Sequence, residues 1–360
     1  MRFVPAGKTV DIASSKKTFA GVLLGTAIGD SLGLPAEGLS RERIQKRWHG
    51  VWKQRFLLRR GMVSDDTEHT VMVAQSLLSK PNDPIAFQRE FARRLRWWFI
   101  RLPAGVGLAT ARACLKLWLG ISPEQSGVFS AGNGPAMRSA IIGLYFYNDN
   151  QNRRAFVRAS TRVTHVDPKA EVAAIAVAEA AACAFTQNET AQDFLFRISG
   201  LSEDDEWNRL VQQMKQSFSV RQSVADFAKS LGLAHGVSGY AYHTVPVALY
   251  AWMLHKGDFA ATVESALNCG GDTDTVGAIA GALAGISSAD TIPQSWLDGV
   301  RDWPCSKEFL HNLASRLADS RGDHDFVMPV NWCWPGALIR NLFFLAIVLF
   351  HGFRRLFPPY

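Results

Sequence analysis

The sequence contains little cysteine and none of the common nucleotide-binding motifs. Its five cysteines are scattered among 360 residues, without a CxxC pair or a Cys/His spacing suited to a metal. This pattern argues against a structural zinc site or a disulfide scaffold, and it favours a reducing, cytoplasmic location. GxGxxG and GxxxxGK[ST] are both absent, so we do not expect a Rossmann or P-loop nucleotide site.

The net charge is modest and singles out no class of partner. The chain has 39 Lys and Arg against 32 Asp and Glu, a formal net charge of +7. Such an excess is compatible with nucleic acid, an anionic membrane surface or a phosphate-bearing ligand. Because no recognised nucleic-acid-binding module is present, we expect no nucleic-acid partner.

The sequence predicts neither a signal peptide at the first residues nor a conventional membrane-spanning segment at the last ones. Met1–Lys17 is polar and basic and lacks the apolar stretch of a signal peptide. Leu342–Phe350 is a run of nine apolar residues, whereas a helix needs about twenty to cross a bilayer. For this run we favour a buried helix over one that lies on a membrane or a partner, and a true span least. We predict a basic arm over 1–17, a folded domain over 18–318 and an extension with an apolar helix over 319–360.

Between the two ends the residue pattern predicts helices. The sequence is rich in Ala, Gly and Leu and has few alternating β-branched runs, which indicates an all-α fold. The segments predicted to be helical include Val71–Leu78, Asp83–Ile100, Lys169–Phe185, Val245–His255 and Val276–Ile286.

Glycine recurs at every fourth residue in two places. The two sets are Gly21, Gly25 and Gly29, and Gly277, Gly281 and Gly285. Glycine in a helix interior costs about 1 kcal/mol relative to alanine, and a close approach between helices would offset that cost. We therefore expect both helices to lie in the core, the alternative being that Ala/Gly-rich helices acquire this spacing by chance.

Two short acidic segments each precede a predicted helix. Ser64–Glu68 reads SDDTE, and Gly270–Thr275 reads GGDTDT. Asp, Ser and Thr are preferred helix N-caps, but one residue is enough for a cap, and neighbouring aspartates repel one another unless a cation compensates. Carboxylate and hydroxyl oxygens suit Mg²⁺, Mn²⁺ or Ca²⁺ better than zinc. The clusters therefore predict a site for two divalent cations that activates water, with solvated surface acids as the alternative.

Six motifs, in order along the chain, together resemble the ADP-ribosylglycohydrolase family, which includes dinitrogenase reductase-activating glycohydrolase. They are GVLLGTAIGDSLGLPAE (Gly21–Glu37), SDDT (Ser64–Thr67), AGNGPAMR (Ala131–Arg138), THVDP (Thr164–Pro168), GVSGYAYHTVP (Gly236–Pro246) and GGDTDTVGAIAGALAGI (Gly270–Ile286). The resemblance excludes the basic arm and the apolar extension. It implies a compact, orthogonal multi-helix fold with two Mg²⁺ ions, or Mn²⁺, in a binuclear site.

The resemblance also implies roles for individual residues. Glu37 matches a family glutamate near the metals, and Asn133 and Gly134 match a loop that approaches ADP-ribose. His165 and Tyr240 match positions that line the nucleotide pocket. The metal ligands implied by the family pattern are Ser64, Asp65, Asp66, Asp272, Asp274 and Thr275. Three other motif residues are interpreted as structural or supporting: Glu68, His69 and His243.

The implied activity is a hydrolase that removes ADP-ribose from modified protein side chains. The bond at C1″ would break through a transition state with oxocarbenium character, and Asp66 or Glu37 is the candidate to accept a proton from water. The leaving group would be an arginine nitrogen, favoured for a bacterial-type member, or a serine oxygen. Its partner would then be an ADP-ribosylated protein or ADP-ribose. The alternative is an immunity protein whose arm blocks a cognate ADP-ribosyltransferase toxin, with or without hydrolysis.

Overall fold

The computed structural model describes residues 12–323, 327–331 and 334–354, and these residues are predominantly α-helical, which confirms the predicted all-α class. The described helices are α1 (Ile12–Gly33), α2 (Arg41–Trp48), α3 (Asp65–Ser79), α4 (Pro84–Phe99), α5 (Leu108–Trp118), α6 (Gly134–Met137), α7 (Ala140–Tyr145), α8 (Asn150–Arg162), α9 (Pro168–Thr186), α10 (Ala191–Ser199), α11 (Asp205–Ser219), α12 (Val224–Ser230), α13 (Ala241–Leu254), α14 (Phe259–Leu267), α15 (Thr273–Ser288), α16 (Gln294–Gly299), α17 (Lys307–Asp323) and α18 (Trp334–Arg354). Two short strands, β1 (Leu39–Ser40) and β2 (Gly270–Gly271), pair antiparallel.

The five segments predicted to be helical lie in α3, α4, α9, α13 and α15. The largest difference is at α3, which begins at Asp65 rather than at Val71. Its earlier start has a local cause, because Ser64 is extended and its side chain accepts a hydrogen bond from the Asp66 amide. The polar SDDTE segment is therefore the first turn of a buried helix, where an apolar periodicity cannot reveal it.

The two glycine sets pack directly against each other, which confirms that both helices lie in the core. α1 and α15 run antiparallel, with Gly21 opposite Gly285 and Gly25 opposite Gly281. A Cβ atom added at Gly25 would overlap the carbonyl oxygen of Gly281, and one added at Gly281 would overlap that of Gly25. The helices therefore meet backbone to backbone, and only glycine allows this approach.

The β1–β2 pair joins the end of the α1 region to the start of α15. Leu39 is paired with Gly271, and the Gly38 amide donates to the Gly271 carbonyl at 2.8 Å. Gly270 and Gly271 have φ angles of 75° and 81°, a left-handed conformation that glycine adopts without strain. This short ribbon brings Glu37 close to the residues that begin α15.

The predicted boundaries at residues 17/18 and 318/319 both fall inside helices. Residues 12–17 belong to α1, where Lys16 pairs with Asp319 of α17 at 2.9 Å and Lys17 pairs with Asp290. Residue 319 lies within α17, which continues to Asp323. The rest of the predicted arm, 1–11, lies outside the described residues.

Among the described residues, two stretches are long and apolar enough to cross a membrane, judged by length and composition alone. Ser15–Ala36 has mean hydropathy 1.3 and is 94% buried in the core. Pro335–Phe353 has mean hydropathy 1.7 and is only 33% buried. The predicted apolar run Leu342–Phe350 lies in this second stretch, within α18, which buries one face on the body and exposes the other.

Replacing Gly25 with alanine should destabilise the protein by about 2–3 kcal/mol, because the methyl group must push two helix backbones apart. The direction of the change in stability is diagnostic, because replacing glycine with alanine in an unobstructed helix interior stabilises a protein by up to about 1 kcal/mol. Gly352→Ala is the matched control, because that helical glycine has no atom within 4 Å of an added Cβ. Thermal midpoints of the three proteins check the prediction, and a Gly25→Ala variant as stable as the parent would contradict it.

Candidate active site

The two acidic clusters meet at the beginnings of α3 and α15. Asp65 and Asp66 occupy the first turn of α3, and Asp272 precedes α15, whose first turn contains Asp274. The two helices touch through one side-chain contact, in which Thr275 Oγ1 donates to Asp66 Oδ2 at 3.3 Å. Ser64 Oγ lies 3.1 Å from the same carboxylate oxygen. The structure therefore brings together residues that are separated by about two hundred positions in the sequence.

Asp30 of α1 holds the first cluster in place, a role that the sequence analysis missed. This fully buried carboxylate accepts hydrogen bonds from the Ser64 amide at 2.9 Å and from the Thr67 amide at 3.2 Å. The Thr67 hydroxyl also donates to it. Burial raises the pKa of Asp30 to about 7, although these hydrogen bonds oppose the rise. The available signal was that Asp30 is the single acid of α1, the helix that carries the first glycine set.

The carboxylates at this place destabilise one another in their charged forms. Burial, and after it the charge of Asp30, raises the pKa values of Asp65 and Asp66 well above their ordinary value. The pKa of Asp274 is raised in the same way, first by burial and then by Glu37 and Asp272. Such a cluster needs protons or cations to neutralise it.

The donor set fits a hard divalent cation. Asp66 Oδ1 is buried and has no hydrogen-bond partner among the described atoms, so a carboxylate oxygen is available for a cation. Among the described residues, no group of three or more acidic, histidine or cysteine side chains forms a ready-made metal site. Hydroxyls of Ser64 and Thr275, with water, would have to complete any coordination, a mixture of oxygen ligands that Mg²⁺ accepts.

A cavity of about 530 Å³ opens beside the acids. Its wall contains most of the residues predicted for the site: Glu37, Asp65, Asp66, Asn133, Gly134, His165, Asp272, Asp274 and Thr275. Thr110, Ser130 and Ser238 also line it. Thr110, in α5, and Ser130 lie outside the six motifs, and Ser238 lies within the motif Gly236–Pro246 but was not singled out.

Two predicted residues, Ser64 and Tyr240, are not part of the cavity wall. Ser64 lies behind Asp66 and caps α3. The Tyr240 hydroxyl lies 3.0 Å from Lys169 Nζ and donates to Glu206 at 3.0 Å. In this conformation Tyr240 takes part in an ion-pair network at the start of α13 rather than in the lining of the cavity.

Asn133 and His165 also line the cavity. Asn133 Nδ2 donates to Asp272 Oδ2 at 2.6 Å and to the Thr244 hydroxyl at 2.9 Å, so it orients one acid of the second cluster. His165 Nδ1 lies 2.8 Å from Thr164 Oγ1. A Cβ at Gly132 would come within 3.0 Å of His165 Nε2, which shows how closely the glycine loop passes the ring.

Glu68 and His69 point away from the cavity, in line with the supporting role inferred for them. Glu68 Oε2 accepts a hydrogen bond from Trp98 Nε1 at 2.6 Å. His69 Nδ1 lies 3.1 Å from a guanidinium nitrogen of the fully buried Arg138. These contacts fix the far side of α3.

Comparisons with known proteins identify the family of the chain. A family model described as ADP-ribosylglycohydrolase matches residues 12–325. The ADP-ribosyl-[dinitrogen reductase] glycohydrolase of Rhodospirillum rubrum is 26% identical, covering 83% of this chain and 95% of the relative. ADP-ribosylhydrolase ARH3 of Gallus gallus is 28% identical over 82% of this chain and 92% of its own. ADP-ribosylarginine hydrolase Tri1 of Serratia proteamaculans is 26% identical over 90% and 83%, respectively.

A solved structure shares the fold. It is titled ADP-ribosylglycohydrolase-related protein complex, and it superposes with a TM-score of 0.63 and 26% identity. The match covers 86% of this chain and 99% of the other.

His165 should stay neutral from about pH 8 to about pH 5, because burial and then the charge of Arg138 lower its pKa to about 3. In the unfolded chain the pKa is about 6.5, so the unfolded state takes up the proton first as the pH falls. The contribution of His165 to stability is thus complete above about pH 6.5 and declines toward about pH 3. NMR of ¹³C-histidine-labelled protein, assigned with His165→Gln, tests this, and a midpoint between about pH 5 and 8 would contradict it.

Proposed function

The chain belongs to the ADP-ribosylglycohydrolase family, whose members hydrolyse a glycosidic bond of ADP-ribose, and we propose that it removes ADP-ribose from modified arginine side chains of proteins. The observation that carries the proposal is the contact between Thr275 and Asp66, which joins the two acidic clusters beside the cavity. A site of this charge suits a reaction that develops positive charge on a sugar ring.

We propose two Mg²⁺ ions, or Mn²⁺, as the cofactors. The residues that would hold them are Ser64, Asp65, Asp66, Asp272, Asp274 and Thr275. The unpartnered oxygen of Asp66 and the raised pKa values of the neighbouring acids support this assignment. When bound, such ions would supply a polarised water and charge that compensates the carboxylates.

Residues of the chain would accept the proton, orient one of the acids and leave room for the substrate. Glu37 is exposed at the cavity and Asp66 is buried within it, so either carboxylate can receive the proton that water loses. Asn133 keeps Asp272 oriented through its amide hydrogen bond. Gly132 and Gly134 have no side chain between the backbone and the cavity, so an anionic diphosphate could approach their amides.

The choice of arginine over another linkage draws support from the Serratia relative, whose name states ADP-ribosylarginine as its substrate. The alternative function, a block of an ADP-ribosyltransferase by the predicted arm 1–17, has no supporting contact among the described residues. The location is proposed to be cytoplasmic, from the cysteine pattern.

Asp274→Asn should reduce ADP-ribose release from an arginine-ADP-ribosylated protein by at least about 100-fold, because one cation ligand is lost and the charge of the site changes. The thermal midpoint should fall little or even rise, since a carboxylate with a strongly raised pKa opposes folding at neutral pH. Asp205→Asn, at an exposed acid of α11, is the matched control and should keep full activity. Released ADP-ribose is measured by chromatography, with and without excess chelator.

Each part of the proposal can fail separately. Full activity of Asp274→Asn, or in chelator, would rule out the metal-dependent reaction. Release from a serine-ADP-ribosylated substrate alone would replace arginine with serine as the linkage. Protection against a transferase that persists in Asp274→Asn would support the blocking function instead.

A further inference from the structure

The C-terminal helix α18 carries two different faces along its length. Its inner face buries Ala337, Asn341, Phe344 and Ile347 against the body, each less than a tenth exposed. Phe344 stacks on Phe56 with ring centroids 5.0 Å apart. The helix is therefore packed on the body through a continuous strip of its inner side.

Polar contacts in this strip keep α18 attached. Arg340 Nε donates to Asp302 Oδ1 at 3.0 Å, and another guanidinium nitrogen donates to the Val63 carbonyl. Arg340 also lies 3.6 Å from Glu68 Oε1. Asn341 Nδ2 donates to the Arg101 carbonyl at 2.9 Å. Pulling the helix away would leave buried carboxylates without their cation, which is strongly unfavourable, so these contacts hold α18 on the body.

The outer face of α18 is apolar and exposed. Its large side chains recur at helical spacing and are each half exposed or more: Ile339, Leu342, Phe343, Leu349, Phe350 and Phe353. At about 1.5 Å per residue this strip is about 21 Å long. Single exposed apolar residues are ordinary, but a contiguous strip of this size indicates a surface that binds something.

A basic segment adjoins this strip. Residues 53–60 contain four Lys and Arg and no acidic residue. The segment reaches α18 at Phe56, whose carbonyl lies 2.8 Å from His351 Nε2. It then turns at Leu58 and Arg59, which are both exposed, with Leu58 88% exposed at the tip. Positive charge and exposed apolar side chains thus occur side by side at one edge of the molecule.

We propose that the outer face of α18 and the 53–60 segment form a docking surface for an anionic lipid membrane. The helix lies along the surface of the bilayer and inserts its phenylalanine and leucine side chains between the lipid headgroups. Basic side chains of the segment meet the lipid phosphates, and Leu58 enters beside them. This inference is independent of the proposed reaction.

Charge favours this occupant over a second copy of the chain. An interface between two copies uses the same patch on both. The 53–60 segment has a surplus of four positive charges by the residues just counted, so two such segments repel each other, whereas an anionic lipid surface attracts them. Lipid also tolerates an elongated apolar strip without a matching groove.

The test uses the full-length protein and large unilamellar vesicles in a flotation assay. Vesicles of phosphatidylcholine with 30% phosphatidylglycerol should bind the protein at least about tenfold more tightly than pure phosphatidylcholine, and salt should reduce the difference. The double variant Phe343→Glu/Phe350→Glu should weaken binding at least about 100-fold, because two inserting side chains are replaced by charges. Lys53→Glu/Arg59→Glu should remove the preference for the anionic lipid.

Leu119→Glu/Phe196→Glu is the matched control, because both side chains are 82% exposed and lie outside α18. It should bind vesicles like the parent protein. All variants should keep the parent thermal midpoint and the parent rate of ADP-ribose release from a soluble substrate, since the altered residues are outside the cavity. No vesicle binding, equal binding by Phe343→Glu/Phe350→Glu, or a dimer that this double variant dissociates would each overturn the proposal.

Discussion

The direct backbone contact between α1 and α15 is the constraint on which the active site depends. Because the facing positions are glycine, the two helices approach without side chains between them. The same two helices carry three of the site's determinants: Asp30 on α1, Glu37 just after it, and Asp274 at the start of α15. Thr273 Oγ1 donates to the Gly33 carbonyl at 2.8 Å and fixes the end of the contact next to the acids. A wider separation would move the second acidic cluster away from the first.

Placing several carboxylates close together in the active site is energetically unfavourable, and hydrogen bonds from neighbouring residues offset part of this cost. Asp30 receives three hydrogen bonds, and Asp66 receives hydroxyl contacts from both sides. Asp272 is held by the amide of Asn133. The pKa values of Asp65, Asp66 and Asp274 nevertheless remain raised, because the surrounding groups do not fully offset burial and the mutual repulsion of these carboxylates. Divalent cations would supply the positive charge that is lacking. The energetic cost and the proposed chemistry thus have the same origin.

The C-terminal helix α18 is connected to the start of α3, although it lies beyond the family match, which ends at residue 325. Arg340 joins α18 to the Val63 carbonyl and to both carboxylate oxygens of Asp302. Asp302 Oδ2 also accepts the Val63 amide at 2.9 Å. Val63 directly precedes the capping residue of α3. A buried ion pair of this kind is specific rather than strongly stabilising: it sets where α18 can lie. Its outer face is then left to solvent or to a membrane.

The sequence alone was sufficient for the helical class, the family, the glycine stripes and both acidic clusters, because each is encoded by residues within a few positions of one another. It did not reveal Asp30, which acts on residues 34 and 37 positions away, or the turn of Tyr240 toward Lys169 and Glu206. It favoured a buried helix for the apolar C-terminal run, and the structure shows that this is true of one face only. Such relations depend on which helix faces pack together, and that is decided by the sum of many long-range contacts rather than by any local pattern.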